Sequence, residues 1–293
     1  MEAQKPFYIT TTLPYVNGTP HIGFALEIIE ADVLARFKKS LGHPVIFNTG
    51  TDEHGINIYR KAQELGQDTQ TYTDEISLQF QELKELLNLS YTHFVRTTDE
   101  AHIKAAQEFW RRSDANGDIY KKAYKIKYCP GCELEKTDSE LNDDGRCELH
   151  PSKEIEMIDE ENYFFRWSKY QEALLKLYKE KPDFVLPKKR LNEIESFVER
   201  GLQDFSISRL REKLPWGVPV PGDDEHVMYV WFDALVSYIS TLGWPDQKEE
   251  FEKWWPGVQI AGKDNLRQQA AMWQAMLCSV GLPFSEQVLI NGF

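Results

Sequence analysis

The sequence predicts an α/β chain in which a parallel sheet is interrupted by a small metal-binding insertion. Three observations carry that prediction. Two strand–turn–helix units follow one another at the start of the chain, the texture changes to short lysine-, cysteine- and acid-rich segments after the turn Asn116-Gly117-Asp118, and the α/β texture returns near the end.

Taken in order, FYITTT at residues 7–12 is aromatic and β-branched and predicts a strand. The polar turn YVNGTP follows, and then Ile22, Ala25, Ile29, Val33 and Phe37 recur at helical spacing until Gly42 ends the run. PVIFNT predicts a second strand, leading through GTDEHG into the helix INIYRKAQELG. This alternation is the pattern of a Rossmann-like nucleotide-binding domain. A longer helix is expected over 71–89, a strand at HFVRT and a helix over 99–115. Short alternating segments fill 119–167, helical periodicity returns over 168–201, and SISRL and PWGVPVPGDD lead to the strand-like run HVMYVWFD. VQIAGKDN, a helix from about 266 to 280 and the strand QVLI resume the α/β pattern. The expected division is 1–115 for the first half of the parallel-sheet domain, 116–225 for a connective insertion and 226–293 for the second half. Ile290 to Phe293 follow directly on the last strand, as expected of a chain cut inside a domain.

The net charge of −13 argues against a protein that coats nucleic acid nonspecifically, because such binding needs many neutralised phosphates. The lysines at 121, 122, 125 and 127, and Lys188, Lys189 and Arg190, read as solvated surface. No apolar run reaches the roughly twenty residues that span a bilayer, and MEAQKPFYIT lacks the features of a secretion signal. The expected location is cytoplasmic, with neither membrane nor DNA as partner.

His21 and Gly23 occupy the first turn of the first helix, where better helix formers would be expected. Backbone N–H groups there lack intrahelical partners and the peptide dipoles favour an anion. Gly23 would admit a base or phosphate to the backbone, at about 1 kcal/mol of helix propensity, and His21 can donate to a phosphoryl oxygen. Asp52, in GTDEHG, can pair with a substrate ammonium; an acidic helix start is the alternative. In GKDN, Gly262 allows close backbone approach and Asp264 can accept from ribose hydroxyls; the alternative is a polar turn. Trp231, Ala234 and Tyr238, with Leu13 and Tyr15, would line a pocket with an apolar body and few polar tips. The adaptable thioether of methionine suits that description; core packing of a sandwiched strand is the alternative.

Cys129 and Cys132 form C-x2-C, and after fourteen residues Cys147 and His150 form C-x2-H. Two chelating pairs at that spacing make a closed Cys3His set suited to structural Zn2+. Disulfides are disfavoured in a cytosolic chain and would leave His150 unexplained. The fourth cysteine, Cys278, reads as a packed core residue.

The segment FYITTTLPYVNGTPHIG, with His21-Ile22-Gly23-Phe24, resembles the HIGH signature of class I aminoacyl-tRNA synthetases and in particular their methionine-specific members. The resemblance runs from Phe7 to Phe293, with the motifs in the family's order. It implies ATP-dependent activation of methionine to methionyl-adenylate and its transfer to tRNA(Met), with Mg2+ on the phosphates. By that resemblance His21, Gly23, Gly262, Lys263 and Asp264 bind ATP, and Asp52 holds the amine of methionine. Leu13, Tyr15, Trp231, Ala234 and Tyr238 form the methionine pocket, with Gln269 at its polar end. The zinc knuckle would lie over the site and guide the acceptor end of tRNA. Phe24 stands where the family has a second histidine, Leu235 replaces a proline, and Gln269 replaces a histidine found in some members. The family's KMSKS signature is not among the 293 residues, so slow activation and inefficient charging are expected. The alternatives are a noncatalytic methionine- or tRNA-binding relic, a synthetase for another apolar amino acid, which would carry a larger editing insertion, and a different nucleotidyltransferase on the same sheet.

Overall fold

A computed structural model describes residues 4–132, 134–136 and 140–292; Phe293, at the end of the expected closing segment, lies outside the described residues. In chain order the first half comprises β1 (Phe7–Thr11), α1 (Ile22–Ser40), β2 (Val45–Thr51), α2 (Ile56–Glu64), α3 (Thr69–Leu86), β3 (His93–Arg96) and α4 (Glu100–Ala115). The middle comprises β4 (Ile119–Cys129), β5 (Leu134–Lys136), β6 (Glu156–Phe165), α5 (Gln171–Glu180), β7 (Val185–Leu186), α6 (Lys188–Glu199), β8 (Phe205–Ser206), β9 (Ser208–Leu210), β10 (Pro219–Val220) and β11 (Asp223–Met228). The last part holds α7 (Val230–Ala234), α8 (Ser237–Ser240), α9 (Lys248–Trp254), β12 (Val258–Gly262), α10 (Trp273–Ser279) and β13 (Gln287–Asn291).

Six strands form one parallel sheet in the order β3-β2-β1-β12-β13-β7. Helices cover both faces, so β1 is buried almost throughout, as parallel sheets require. Ile9, Ile28, Phe47, Ile58 and Phe80 pack on one side, while Phe109, Phe232, Trp273 and the insertion's Phe165 and Tyr178 pack on the other. The chain leaves β1 toward β2 and leaves β12 toward β13, so the strand order turns between β1 and β12. That is the place where open α/β sheets bind ligands, outside the carboxyl ends of the strands.

The helix α1 buries a different face from the one its apolar spacing suggested. Phe24, Glu27, Ile28, Ala31, Asp32 and Ala35 face the sheet, whereas Ile22 is 89% exposed and Ile29, Val33 and Phe37 are also exposed. Two acids on the buried face have fixed partners. Asp32 accepts from Arg36 Nε at 2.5 Å and from the amide and hydroxyl of Ser90, each at 2.6 Å; Glu27 belongs to the site described below.

The insertion is built on the antiparallel pairing of β4 with β6, from Ile119 opposite Phe165 to Tyr128 opposite Glu156, flanked by β5 and β8. A second antiparallel sheet, β10-β11-β9, accommodates the Pro- and Gly-rich turn cluster. Asp118 anchors the base: its buried carboxylate accepts from Lys169 at 2.6 Å, Ser279 of α10 at 2.8 Å and Asn116 at 2.7 Å, and also from Tyr170. Within the span 116–225, however, β7 pairs parallel to β13, so part of that span completes the edge of the main sheet.

Two further expectations are corrected. The aromatic run after Met228 is helical: Trp231 and Ala234 lie on α7 and Tyr238 on α8, where aromatic and β-branched composition had pointed to a strand. The expected helix over 266–280 is broken into a 3-10 turn at Lys263–Asn265, a π-helical turn at Gln268–Met272 and the short α10. Cys278 is partly buried against the core, and burial pushes its thiol up to about 11.

Candidate active site and metal centre

His21 is the N-cap of α1, in extended backbone conformation, and its Nδ1 accepts from the amide of Gly23 at 3.2 Å. One of the orphan amides of the first turn is thereby satisfied from within the chain. An accepting Nδ1 puts the proton of a neutral ring on Nε2, so the cap leaves His21 a defined donor. Gly23 has a second reason to be glycine: a Cβ there would lie 3.1 Å from both Cε1 and Nδ1 of His21. Gly23→Ala is therefore expected to gain up to about 1 kcal/mol of helix propensity while displacing the imidazole. Thermal unfolding should show a stable or stabilised chain, and nucleotide titration should show weakened binding. Phe24 turns inward and packs edge-on against Phe80, with ring centroids 5.3 Å apart.

The ends of β1 and β12 are joined by Glu27, a residue the sequence reading passed over. Its carboxylate accepts from the amide of Thr12 at 2.7 Å, from the hydroxyl of Thr12 and from the amide of Gly262 at 3.1 Å. Burial pushes its pKa up to about 7, against the hydrogen bonds that favour the ion, and the charge of nearby Asp264 adds to the rise. A carboxyl whose folded value lies above its unfolded value contributes stability at low pH that is lost as pH rises through about 7. Glu27→Gln should remove that component, so the difference in melting temperature between variant and wild type should shift in favour of the variant as pH rises from 4.5 to about 7, the span between the ordinary and the raised value, and level off above it. Gly262 ends β12 and caps the 3-10 turn that carries Lys263 and Asp264, with Asp264 exposed.

Asp52 lies at the carboxyl end of β2 and is buried. The backbone holds it beside the loop after β1: its amide donates to Pro14 O at 2.9 Å and its carbonyl accepts from Val16 N at 3.0 Å, which makes a parallel bridge between Tyr15 and Asp52. Tyr238 is fully buried; its hydroxyl accepts from Gln269 Nε2 at 2.6 Å, and its backbone carbonyl accepts from Tyr8 OH at 2.8 Å. Burial raises the pKa of Tyr238, and the charges of Glu27 and Asp52 add to the effect, so these three groups share one neighbourhood. Gln269 is itself buried, held by Gln259 at 3.0 Å, and meets the site through Tyr238. Leu13, Tyr15 and Trp231 are half-buried and Ala234 is buried. A cavity of about 340 Å³ between the sheet domain and the insertion is lined by Gly55, Ile56, Tyr128, Arg209, Tyr229 and Val230 among others; none of Leu13, Tyr15, Trp231, Ala234 and Tyr238 is in its lining, although Val230 is the direct neighbour of Trp231.

The residue after Asp52 is the hub of a second network. Glu53 is fully buried and receives Arg96 through Nε at 2.7 Å and Nη2 at 2.8 Å, together with the hydroxyls of Thr51 at 2.7 Å and Thr98 at 2.5 Å. Bidentate pairing of this kind fixes orientation as well as charge. The loop carrying Asp52 is thus held rigidly. No periodicity reveals such a network, because its members come from separate elements.

Cys129, Cys132, Cys147 and His150 come together, with one ligand atom from each lying within 4.8 Å of the others. The measured edges are 3.9 Å from Cys129 Sγ to His150 Nδ1, 3.8 Å from Cys132 Sγ to Cys147 Sγ and 4.0 Å from Cys147 Sγ to His150 Nδ1. A tetrahedron with bonds of about 2.3 Å has edges of about 3.8 Å, so these side chains are arranged to hold a metal ion. Gly131 permits the close turn, since a Cβ there would lie 2.4 Å from the His150 ring. Asn57 of α2 donates to Pro130 O at 2.8 Å, which docks the knuckle a few residues from Asp52.

Fold and site together define a nucleotide-binding α/β domain whose insertion gathers three cysteines and a histidine in an arrangement that could hold a metal ion. Residues 7–153 and 135–293 match the family model described as tRNA synthetases class I (M), and the chain belongs to that family. It is 48% identical to the methionine–tRNA ligase of Nostoc sp. over 100% of this chain, 50% identical to that of Thermosynechococcus vestitus over 98%, and 46% identical to that of Thermotoga maritima over 98%. It spans 56%, 55% and 46% of the lengths of those relatives. Among solved structures, the Mycobacterium tuberculosis methionyl-tRNA synthetase in complex with methionyl-adenylate superposes with a TM-score of 0.94 at 41% identity, over 99% of this chain and 57% of that one. The apo form of the same synthetase gives 0.85 at 40% identity, over 99% of this chain and 56% of that one.

Proposed function

We propose that this chain binds methionine and ATP at the turn in strand order between β1 and β12, for activation of methionine to methionyl-adenylate and transfer to tRNA(Met). The observation that carries the reading is Glu27, whose single carboxylate ties the end of β1 to the end of β12 behind the first turn of α1. The segments bearing His21 and Gly262 to Asp264 therefore meet at one crevice. In the first step a methionine carboxylate oxygen attacks the α-phosphorus of ATP and pyrophosphate leaves. In the second a terminal ribose hydroxyl of tRNA attacks the acyl carbon and AMP leaves. Neither step needs a covalent enzyme intermediate, so positioning and charge stabilisation do the catalysis.

In this reading Asp52 takes the ammonium of methionine, and Leu13, Tyr15, Trp231, Ala234 and Tyr238 take its side chain, with Gln269 fixing the hydroxyl of Tyr238. His21 Nε2–H and the amides near Gly23 take phosphate oxygens; Gly262, Lys263 and Asp264 take the nucleoside. Mg2+ would accompany the triphosphate and neutralise its charge. The metal at Cys129, Cys132, Cys147 and His150 is Zn2+, closed by four protein ligands and therefore structural. Residues 1–115 and 226–293 act as the halves of the catalytic domain, and 116–225, apart from β7, as the connective insertion that guides the tRNA acceptor end. The reaction is placed in the cytoplasm on the strength of the function proposed; separately, among the described residues no helix is long and apolar enough to cross a membrane.

A second reading, a methionine- or tRNA-binding module without catalysis, is favoured by the inward packing of Phe24, which leaves His21 as the one imidazole of the signature. Titration of the chain with methionine, leucine, isoleucine and valine, alongside methionine-dependent exchange of pyrophosphate into ATP, separates the readings. Methionine binding with measurable exchange supports the enzyme, and binding without exchange supports the module. Preference for a branched amino acid would overturn both.

A further inference from the structure

Asp233 on α7 is fully buried, yet its carboxylate lies between two imidazoles from different parts of the chain. Oδ2 is 2.6 Å from His54 Nδ1, and Oδ1 is 2.7 Å from His102 Nε2 on α4. His102 Nδ1 lies 3.0 Å from Ser240 Oγ. The His54 ring packs against Trp216 with centroids 5.7 Å apart, and Trp216 Nε1 donates to the backbone carbonyl of Glu53 at 2.6 Å. Burial alone would raise the pKa of Asp233, but the two histidines hold it down at about 2, so it stays an anion. Each oxygen therefore receives one N–H, which sets the tautomer and angle of both rings.

The sequence positions of this cluster matter. His54 is two residues beyond Asp52, and Asp233 lies between Trp231 and Ala234. We propose that Asp233 is a positioning residue: acting through His54, it sets where the amine-binding Asp52 stands relative to the Trp231–Ala234 wall of the methionine pocket. This rests on the function proposed above. Asp233 has no exposed surface with which to touch a substrate, and apolar packing would fill the same space with less desolvation. Directed bonds to two separate elements give what packing cannot, a fixed distance and angle between them.

The test is the ratio of affinities for methionine and for deaminomethionine, the same acid without its amine, measured by titration calorimetry. If Asp233 aligns the two subsites, Asp233→Asn should lower that ratio by about tenfold or more, because the amine no longer finds Asp52 while the side chain is seated. Asp118→Asn serves as the structural control: that carboxylate is equally buried and bonded to Lys169, Tyr170 and Ser279, so its loss should lower the melting temperature yet leave the ratio within about twofold. Should Asp233→Asn fail to fold, His54→Ala should lower the ratio and His54→Asn, which keeps a donor near Nδ1, should restore it. An unchanged ratio in a folded Asp233→Asn or His54→Ala variant overturns the proposal. If the wild-type chain does not bind methionine, the functional reading falls first and this proposal with it.

Discussion

Asp52→Ala is expected to weaken methionine binding by about two orders of magnitude, while leaving ATP binding nearly unchanged. Asp52 is buried, so an ammonium brought to it leaves water and must be compensated by a full charge. Removing one partner of such a pair typically costs about 2–5 kcal/mol, and about 3 kcal/mol corresponds to a factor of about 150. The loop should survive the change, because Glu53 with Arg96, His54 with Asp233 and the backbone bridge to Tyr15 all hold it without the Asp52 carboxylate. Calorimetric titration of methionine and of ATP into both chains checks this. A methionine affinity within about threefold of wild type would remove Asp52 from the site.

The second large effect is expected at the metal centre. Cys129→Ser should reduce the bound metal from about one ion per chain to nearly none, and a strong chelator should do the same to the wild type. Apparent binding free energies of structural zinc reach about 10–16 kcal/mol in small domains, and that energy is folding energy. The strand pairing near Tyr128 and Glu156 should melt, while the six-stranded sheet, whose two cores lie away from that end of the pairing, keeps its structure. Metal analysis and thermal unfolding measure the two effects separately. Unchanged metal content in the variant would end the assignment.

The parts of this molecule that were legible in the sequence are those governed by local rules. Alternating strands and helices, the turn residues and the paired C-x2-C and C-x2-H all express themselves within a few residues, and the parallel sheet and metal cluster follow from them. The face of α1 was not legible, because Glu27 and Asp32 interrupt the buried stripe while Ile22, Ile29, Val33 and Phe37 supply a competing apolar period on the outside. Those two acids are affordable inside only because Thr12, Gly262, Ser90 and Arg36 meet them, and all but Arg36 lie on other elements. α7 and α8 were mistaken for a strand for a similar reason: the aromatic side chains there follow the packing of the core they join, which local composition does not reveal. The Asp233 cluster joins residues 54, 102 and 233, which no spacing rule connects.

The central claim is that a triphosphate nucleotide and methionine meet at the crevice between β1 and β12. A crystal structure of this chain with methionine and a non-hydrolysable ATP analogue tests it most directly. The account predicts phosphate density at the first turn of α1 within hydrogen-bonding reach of His21 Nε2, the ribose beside Asp264 and the methionine ammonium on Asp52. Nucleotide bound elsewhere, or that crevice filled by the protein's own side chains with both ligands present at saturation, would contradict it.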